Sequence, residues 1–475
     1  MKAKKFTLLI LLVVLTLLVA ACGAGGGGGG GGAAAITAPP EGPLVAEGQR
    51  EVVRIAWLGF HPEDRIDPIS GITIRGSWEF IELIESVHPY VELQIIEIPG
   101  DGWIQNMQTT ILAGEADIGW YTNQIAATQW FVDHREFMAH DPDFSEAVFH
   151  NTFTDGAIRW VEYRSFDFPD STGNIYGLPM DVTADLIVVD SVILEQWGVE
   201  LPNLYPTYAE LLDIARRTTG TNPVTGEHNF GVFLRPFWSE WHALGMDVFP
   251  TLYMPGMDLR ELDMNRYVHF LETCQVTYDF FQYMLDFIEL APPGITVDAG
   301  AENWFTPENN IAVMIDVSRT RDWIRYDLAD MTEITERFIP VFMPRSPSGY
   351  SGFPESRSLA VTRYANNPWL AWEVLKTITT NTDSLNWIFT HREMGALPAL
   401  RDPSGLRILE NDFNRTRWED RLTGMNGTHD YWYWREPMQR LFADLFIGEL
   451  TAAEARQVMH DTTVEWIENR IRLLG

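Results

Sequence analysis

The sequence predicts an α/β protein of two or three domains whose first sheet contains parallel strands. Its 475 residues exceed the ~100–200 that a single domain usually holds. Hydrophobic residues make up 46% of the chain and aromatic residues 12%, enough apolar surface for a folded core. From about residue 50 onward, strand-like and helix-like hydrophobic patterns alternate, which is typical of parallel strands joined by crossover helices.

The first unit combines three predicted strands with two predicted amphipathic helices. The strands are Val52–Leu58, Val91–Ile95 and Ala116–Trp120, and the helices are Ile81–Val87 and Trp103–Ala113. His88-Pro89 ends the first helix and Gly114 ends the second. This order predicts a sheet whose strands all end at one edge.

A second unit opens with a predicted strand at Asp185–Asp190 and a helix at Ser191–Trp197. Thr207 and Glu210 have the spacing of a capping box, so we expect another helix to begin at Thr207. Later segments complete the prediction: strands at Ile311–Ile315 and Phe338–Phe342, and helices at Trp369–Thr379 and Ala452–Arg472.

The N-terminus has the pattern of an export signal. Three lysines precede the apolar run Phe6–Val19, which is shorter than the ~20 residues that span a bilayer. Val19-Ala20-Ala21-Cys22 resembles the bacterial lipobox, and this resemblance implies cleavage after residue 21 and lipid attachment at Cys22. The alternative is a plain secretory signal. The glycine run Gly25–Gly32 predicts that residues 22–47 form a flexible linker.

Charge and motif content exclude several function classes. A net charge of −32 and a pI near 4.6 argue against nucleic-acid binding, which needs a basic face. With only Cys22 and Cys274, neither a disulfide scaffold nor a paired CxxC zinc site is possible. The HExxH, GxSxG and GxxxxGK[ST] motifs are absent. We therefore expect no catalytic residues, no metal and no cofactor, although 66 carboxylates leave a glycosidase acid/base pair open.

Aromatic residues give a positive indication. The chain has 18 tryptophans, and Trp57 and Trp120 fall at the carboxyl ends of predicted parallel strands, where ligands bind in open α/β sheets. A sugar presents a C–H face that packs on an aromatic ring and hydroxyl groups that polar side chains satisfy. Core packing is the ordinary role of any single tryptophan, but several contacts are expected from the set.

Short segments in a fixed order resemble the extracellular solute-binding proteins of bacterial ABC importers, of the maltose-binding type. The segments are Leu112–Ile118, Gly173–Pro179, Val188–Asp190, Gly198–Leu212, Ile311–Ile315, Asn366–Lys376 and Gly448–Ala455. The resemblance covers nearly the whole chain after the signal segment.

This resemblance implies a two-lobed periplasmic-binding-protein-like fold of the α/β class. Each lobe is expected to hold a mostly parallel sheet flanked by helices, with hinge strands between the lobes. By analogy, lobe one takes residues 48–178 and 314–381, and lobe two takes residues 179–313 and 382–475. Solute is expected in the cleft between the lobes, which closes by hinge motion.

The same comparison implies a set of ligand contacts in addition to Trp57 and Trp120. They are Tyr121, Asp181, Phe237, Trp238, Arg319, Phe353, Trp432 and Trp434. At Arg319 the chain departs from the family pattern, which often has an aromatic or glycine pair.

The function implied is that of an extracytoplasmic lipoprotein that captures a sugar or oligosaccharide and delivers it to the membrane permease subunits of an ABC importer. It is expected to be a monomer that meets the membrane only through its lipid anchor. Two alternatives remain open at this point: a lipid-anchored glycoside hydrolase, and a binding protein for a non-sugar solute such as a polyamine, a peptide or a glycerol-phosphate ester.

Overall fold

The computed structural model describes most of the chain after residue 35. The described residues are 36–100, 102–121, 130–162, 173–183, 186–234, 263, 265, 275–295, 299–316, 320, 322–345, 356–391, 396–421 and 431–474. The predicted signal segment, Cys22 and the glycine run lie outside them. In this part of the chain no helix is both long enough and apolar enough to cross a membrane.

Strands and helices alternate along the chain. The strands are β1 (Glu51–Leu58), β2 (Arg65–Ile66), β3 (Thr73–Ile74), β4 (Val91–Ile98), β5 (Ile118–Tyr121), β6 (Leu178–Pro179), β7 (Asp181–Thr183), β8 (Leu186–Asp190), β9 (Gly220–Thr221), β10 (His228–Leu234), β11 (Ile311–Ile315), β12 (Phe338–Phe342), β13 (Ser358–Val361) and β14 (Ala396–Pro398). The helices are α1 (Ser77–Val87), α2 (Trp103–Leu112), α3 (Arg135–Met138), α4 (Glu146–Thr152), α5 (Asp155–Val161), α6 (Ser191–Gln196), α7 (Tyr208–Arg217), α8 (Gln275–Ile288), α9 (Asp322–Leu328), α10 (Thr332–Arg337), α11 (Pro368–Thr380), α12 (Thr382–His391), α13 (Asp412–Arg421), α14 (Tyr431–Phe446) and α15 (Ala452–Leu474), with a 3₁₀ helix at Arg407–Leu409.

The first sheet has the strand order β4-β1-β5-β13-β6. As the sequence predicts, β1 runs parallel to both β4 and β5. β13 runs antiparallel to β5 on one side and to β6 on the other. Helices α1, α2, α11 and α12 belong to this lobe, since α1 and α2 pack on β4, α11 packs on β13, and α12 packs on α1.

The second sheet has the order β12-β8-β11-β10-β9. Among the described strands of this sheet, β10 and β11 pair in parallel, whereas β8 is antiparallel to both of its neighbours and β9 is antiparallel to β10. This lobe is therefore mixed rather than mostly parallel. Helix α7 covers it closely, because a Cβ added at Gly231 in β10 would lie 2.0 Å from the carbonyl oxygen of Ala215.

Strand pairing corrects the predicted lobe boundaries. β12 pairs with β8 over five residues, so 314–342 belong with the second sheet and not with the first. α12 packs on α1, so 382–391 belong with the first sheet. The sequence pattern predicts the strand at Phe338–Phe342, but it does not show which partner this strand finds.

Candidate functional site

The carboxyl ends of the parallel strands in the first sheet form one edge, which we call the carboxyl edge. Leu58 ends β1, Ile98 ends β4 and Tyr121 ends β5. Ser358, the first residue of β13, pairs with Tyr121 and with Pro179 of β6. In open α/β sheets, solutes bind at this edge. One chain segment leaves the first sheet here, after Pro179, and another returns here from the second sheet, at Ser358.

Two tryptophans meet at this edge. Trp120 lies one residue before the end of β5, and its ring centroid is 5.1 Å from that of Trp103, at an interplanar angle of 66°. Trp120 is 9% exposed, whereas Trp103 is half-buried. Among the described residues, the indole Nε1 of Trp120 has no hydrogen-bond acceptor. The pair therefore combines an apolar face with one unused N–H donor.

The sequence does not single out Trp103, because it is the first residue of an amphipathic helix and its spacing suits core packing. The structure shows why it reaches the edge. Helix α2 begins a few residues after β4 ends, so its first turn lies at the carboxyl ends of the strands. Gly102, in the left-handed region at φ 64°, allows the turn that starts the helix.

Trp57 does not lie where the sequence predicts. Its side chain has no exposed surface, and its ring lies 4.5 Å from that of Phe60 and 5.8 Å from that of Phe80. It belongs to the core between β1 and α1, so the prediction of a ligand contact at Trp57 is wrong for this structure. A position near the end of a strand does not fix which face of the sheet a ring occupies.

Asp181, predicted to accept hydroxyl bonds near the hinge, is fully buried and ion-paired with Arg357. Arg357 Nε lies 2.9 Å from Asp181 Oδ2, and the Arg357 backbone N–H donates to Oδ1 at 3.0 Å. The backbone N–H of Met180 donates to the Arg357 carbonyl at 2.8 Å. Sequence reasoning missed Arg357, because nothing in the sequence indicates that position 357 lies beside position 181.

His134 lies under the same part of the sheet and is also fully buried. The backbone N–H of Val361 donates to its Nε2 at 3.1 Å. Burial, which disfavours the charged ring, lowers the pKa of His134 to about 4. The ring is therefore neutral at physiological pH and acts as a structural acceptor behind β13.

In the second sheet, the parallel strands β10 and β11 end together at Leu234 and Ile315. Asp316 follows directly and is fully buried, and its carbonyl accepts the backbone N–H of Thr320 at 3.0 Å. This end of the second sheet places a buried carboxylate at the position that corresponds to the carboxyl edge of the first.

The other predicted contacts have no described side chain. Phe237, Trp238, Arg319 and Phe353 lie outside the described residues, as does Cys22. Tyr121 is placed by its backbone at the end of β5, and the backbones of Trp432 and Trp434 are in the first turn of α14. These contacts remain predictions. Among the described residues, no three His, Cys, Asp or Glu side chains are grouped so as to hold a metal ion.

Comparisons with known proteins address the fold. No protein-family model matches the chain, and none of the curated proteins compared with it is similar in sequence. Several solved structures are similar to this chain in fold. An ABC substrate-binding protein from Listeria monocytogenes, in complex with cycloalternan, aligns with a TM-score of 0.64 at 13% identity, over 89% of this chain and 100% of that chain. The sugar-binding protein MalE from Xanthomonas citri aligns with a TM-score of 0.62 at 15% identity, over 89% and 99%. An ABC transporter solute-binding protein from Agrobacterium vitis, with bound D-mannitol, aligns with a TM-score of 0.58 at 12% identity, over 89% and 99%.

The chain has the two-lobed fold of ABC-importer solute-binding proteins. At identities of 12–15%, the structural similarity establishes the fold but does not identify the ligand. The fold prediction from the sequence is confirmed, and the two sheets described above are the cores of the two lobes.

Proposed function

We propose that this protein binds a sugar, an oligosaccharide or a related polyol between its two lobes and delivers it to the permease of an ABC importer. The observation that supports this most directly is the Trp103–Trp120 pair at the carboxyl edge, in a fold whose solved members include complexes with cycloalternan and D-mannitol. A half-buried indole at this edge offers the flat apolar face on which a sugar ring packs.

A polyhydroxylated ligand also needs hydrogen-bond partners, because each hydroxyl that leaves water must find one. Asp181 and Asp316 have no exposed surface in this arrangement, and the Asp181 carboxylate already pairs with Arg357, so neither is offered to a ligand here. Phe237, Trp238, Trp432 and Trp434 are proposed as further stacking rings, and Arg319, Phe353 and Tyr121 as further contacts.

We also propose that the protein acts outside the cytoplasm, tethered by a lipid on Cys22. The lipobox-like Val19–Cys22 and the glycine run after it support this. A long flexible linker lets the folded domains reach a permease while the lipid anchor stays in the bilayer. The protein is proposed to work as a monomer and to carry out no chemistry of its own.

A thermal-shift screen tests the function. The chain from residue 23 on is heated with monosaccharides, linear and cyclic oligosaccharides, polyols, polyamines and short peptides. A ligand at 100 times its Kd stabilises the folded state by ~2.7 kcal/mol, which is a clear rise in melting temperature. Stabilisation by a polyamine or a peptide, and by none of the carbohydrates or polyols, would contradict the proposal.

A turnover assay separates binding from hydrolysis. The carbohydrate that gives the largest shift is incubated with the protein and then analysed by chromatography for shortened products. We expect the ligand to be recovered intact. Release of a sugar unit that depends on active protein would instead support the glycoside-hydrolase alternative.

A further inference from the structure

An ion pair joins two segments that belong to different lobes. Arg325 Nη2 lies 2.7 Å from Asp67 Oδ2, and the two residues are 258 positions apart in sequence. Each side chain is only 6% exposed. Neither residue lies on the strands and loops that connect the two sheets.

The Asp67 side belongs to the first lobe. Asp67 lies between β2 and β3, in a tight turn where its Oδ1 accepts the backbone N–H groups of Ile69 at 3.0 Å and Ser70 at 2.8 Å. These bonds hold the carboxylate so that its other oxygen meets Arg325. The hairpin is fixed to α1, because Asp64 accepts the Gly76 backbone N–H and the Trp78 indole N–H, both at 2.8 Å.

The Arg325 side leads into the second lobe. Arg325 is on α9, which continues through α10 into β12 of the second sheet and also packs on α12 of the first lobe. Asp322, on the same helix, contacts Arg325 at 2.9 Å. The hydroxyl of the next residue, Tyr326, donates to Asp67 Oδ1 at 3.4 Å. The Tyr326 ring packs edge-on against Phe305 at 5.2 Å, and Phe305 packs against Phe338 of β12 at 5.1 Å. The contact therefore runs from the hairpin of one lobe to a strand of the other sheet.

Asp67 is charged in this setting. Burial raises the pKa of its carboxyl, but the hydrogen bonds from Ser70 and Ile69 and the positive charge of Arg325 outweigh it, so that the pKa is below its usual value. A buried charge that loses its counter-ion is strongly unfavourable unless water can reach it. If the lobes separate, water reaches both the Asp67 carboxylate and the Arg325 guanidinium. If one lobe rotates relative to the other, the ion pair stays intact only when the rotation axis passes through the contact.

We propose that Asp67 and Arg325 form a latch between the lobes, which favours the lobe arrangement of this structure and slows the release of a bound solute. The part that concerns solute release depends on the proposed function; the part that concerns the lobe arrangement does not. Because a contact present in only one arrangement shifts the equilibrium toward it, loss of the pair raises the population of separated lobes.

Distance measurements between the lobes test the latch without any ligand. Spin labels are attached at Val87→Cys on α1 and Val224→Cys between β9 and β10, both exposed positions, in a chain that starts after Cys22 and carries Cys274→Ser. Asp67→Asn keeps the shape of the side chain and removes its charge. We expect its distance distribution to gain a longer component that the parent protein lacks.

Asp117→Asn is the matched control. Asp117 pairs with Arg54 at 3.1 Å, and both residues belong to the first sheet. Its loss is expected to lower the melting temperature and to leave the interlobe distances unchanged. If Asp67→Asn does not fold, Arg325→Lys replaces it, because lysine keeps the charge but lacks the Nη2 atom that contacts both Asp67 and Asp322. Distributions identical to the parent protein in the folded variant would overturn the latch.

Solute release is the second measurement. With the carbohydrate found in the screen, stopped-flow dissociation from Asp67→Asn is expected to be about tenfold faster than from the parent protein, and dissociation from Asp117→Asn unchanged. A longer distance component with an unchanged release rate would overturn the effect on release. If no carbohydrate binds at all, the proposed function fails, while the distance measurement still decides the latch.

Discussion

Arg357 binds Asp181 where two chain segments pass between the sheets. Asp181 begins β7, which follows β6 on the way out of the first sheet, and Arg357 directly precedes β13 on the way back. The side-chain contact of 2.9 Å and the backbone N–H donated at 3.0 Å fasten the outgoing segment to the returning one. The pair thereby ties together two of the connections between the sheets.

Arg357→Ala should destabilise the fold strongly. Asp181 has no exposed surface, and removing one partner of a buried ion pair typically costs ~3–5 kcal/mol, because the remaining charge stays desolvated. Urea-induced unfolding measures the loss. As a control, Arg401→Ala breaks the exposed pair with Asp155 and should change stability by less than ~1 kcal/mol. Equal effects of the two substitutions would argue against a buried pair at 181 and 357.

His134 predicts a loss of stability in mild acid. The pKa of His134 is lowered by burial to about 4 in the folded protein, whereas an unfolded histidine titrates near ~6.5. Below pH ~6.5 the His134 imidazole is protonated in the unfolded chain but stays neutral in the folded chain. The free energy of unfolding therefore falls as the pH drops from ~6.5 to ~4, and this residue alone lowers it by ~3 kcal/mol. Above pH ~6.5 it contributes no slope.

Unfolding titrations at several pH values check this. His134→Gln keeps an acceptor for the Val361 N–H and does not titrate, so it should flatten the dependence in that window. Some slope remains, because burial also lowers the pKa values of His88 and His391. An unchanged slope in the variant would mean that His134 titrates normally in the folded state.

Gly231 and Gly100 make a matched pair for close packing. A Cβ at Gly231 would lie 2.0 Å from the carbonyl oxygen of Ala215, so Gly231→Ala forces α7 away from β10. Such overpacking costs ~1–3 kcal/mol or more. At Gly100 no atom lies within 4 Å of the added methyl, and Gly100→Ala should leave the melting temperature nearly unchanged. Comparable melting temperatures for the two variants would contradict the packing described here.

Trp103 should matter for ligand affinity more than for stability. It is half-buried beside Trp120, so Trp103→Ala removes a stacking face at modest structural cost. We expect a loss of about 1–3 kcal/mol of binding free energy, roughly tenfold to a hundredfold in Kd. Tyr364→Ala, at an exposed ring beyond the other end of β13, should bind normally in the same titration calorimetry. Native affinity in Trp103→Ala would remove this ring from the proposed site.

Cys22→Ser tests the lipid anchor. Without the sulfur, lipid attachment and the processing that follows it fail, so the variant should appear as soluble protein or as unprocessed precursor. Cell fractionation followed by mass spectrometry distinguishes these forms. Cys274→Ser, which leaves the N-terminal segment intact, should stay with the membrane. Mature-sized Cys22→Ser in the membrane fraction would exclude lipid attachment at this residue.

Local patterns predicted local structure well. The capping box at Thr207 forms as expected, with the Glu210 backbone N–H donating to Thr207 Oγ1 at 3.1 Å and Glu210 Oε2 accepting the Thr207 backbone N–H at 2.7 Å. All of the atoms involved lie within four residues, so their sequence spacing is enough to determine the contact.

Contacts between residues far apart in the sequence could not be predicted in the same way. The apolar run at Phe338–Phe342 predicted a strand, but only its pairing with β8 shows which sheet it joins. Trp57 has the same sequence context as a ligand-facing ring, yet side-chain direction in a strand alternates with each residue, so an error of one position exchanges core for surface. The Asp67–Arg325 contact has no local signature at all, because nothing in the sequence selects Asp67 among the 66 acidic residues.

The place of β13 also has a consequence for how the protein is made. Trp120 pairs with Leu359, so the middle of the first sheet stays open until about 240 further residues have left the ribosome. At roughly 5–20 residues per second, that delay is on the order of tens of seconds. During synthesis the first lobe is thus an incomplete sheet with an unpaired β5 edge, a state that chaperones can bind. The first sheet is complete only after β13 has paired with β5 and β6.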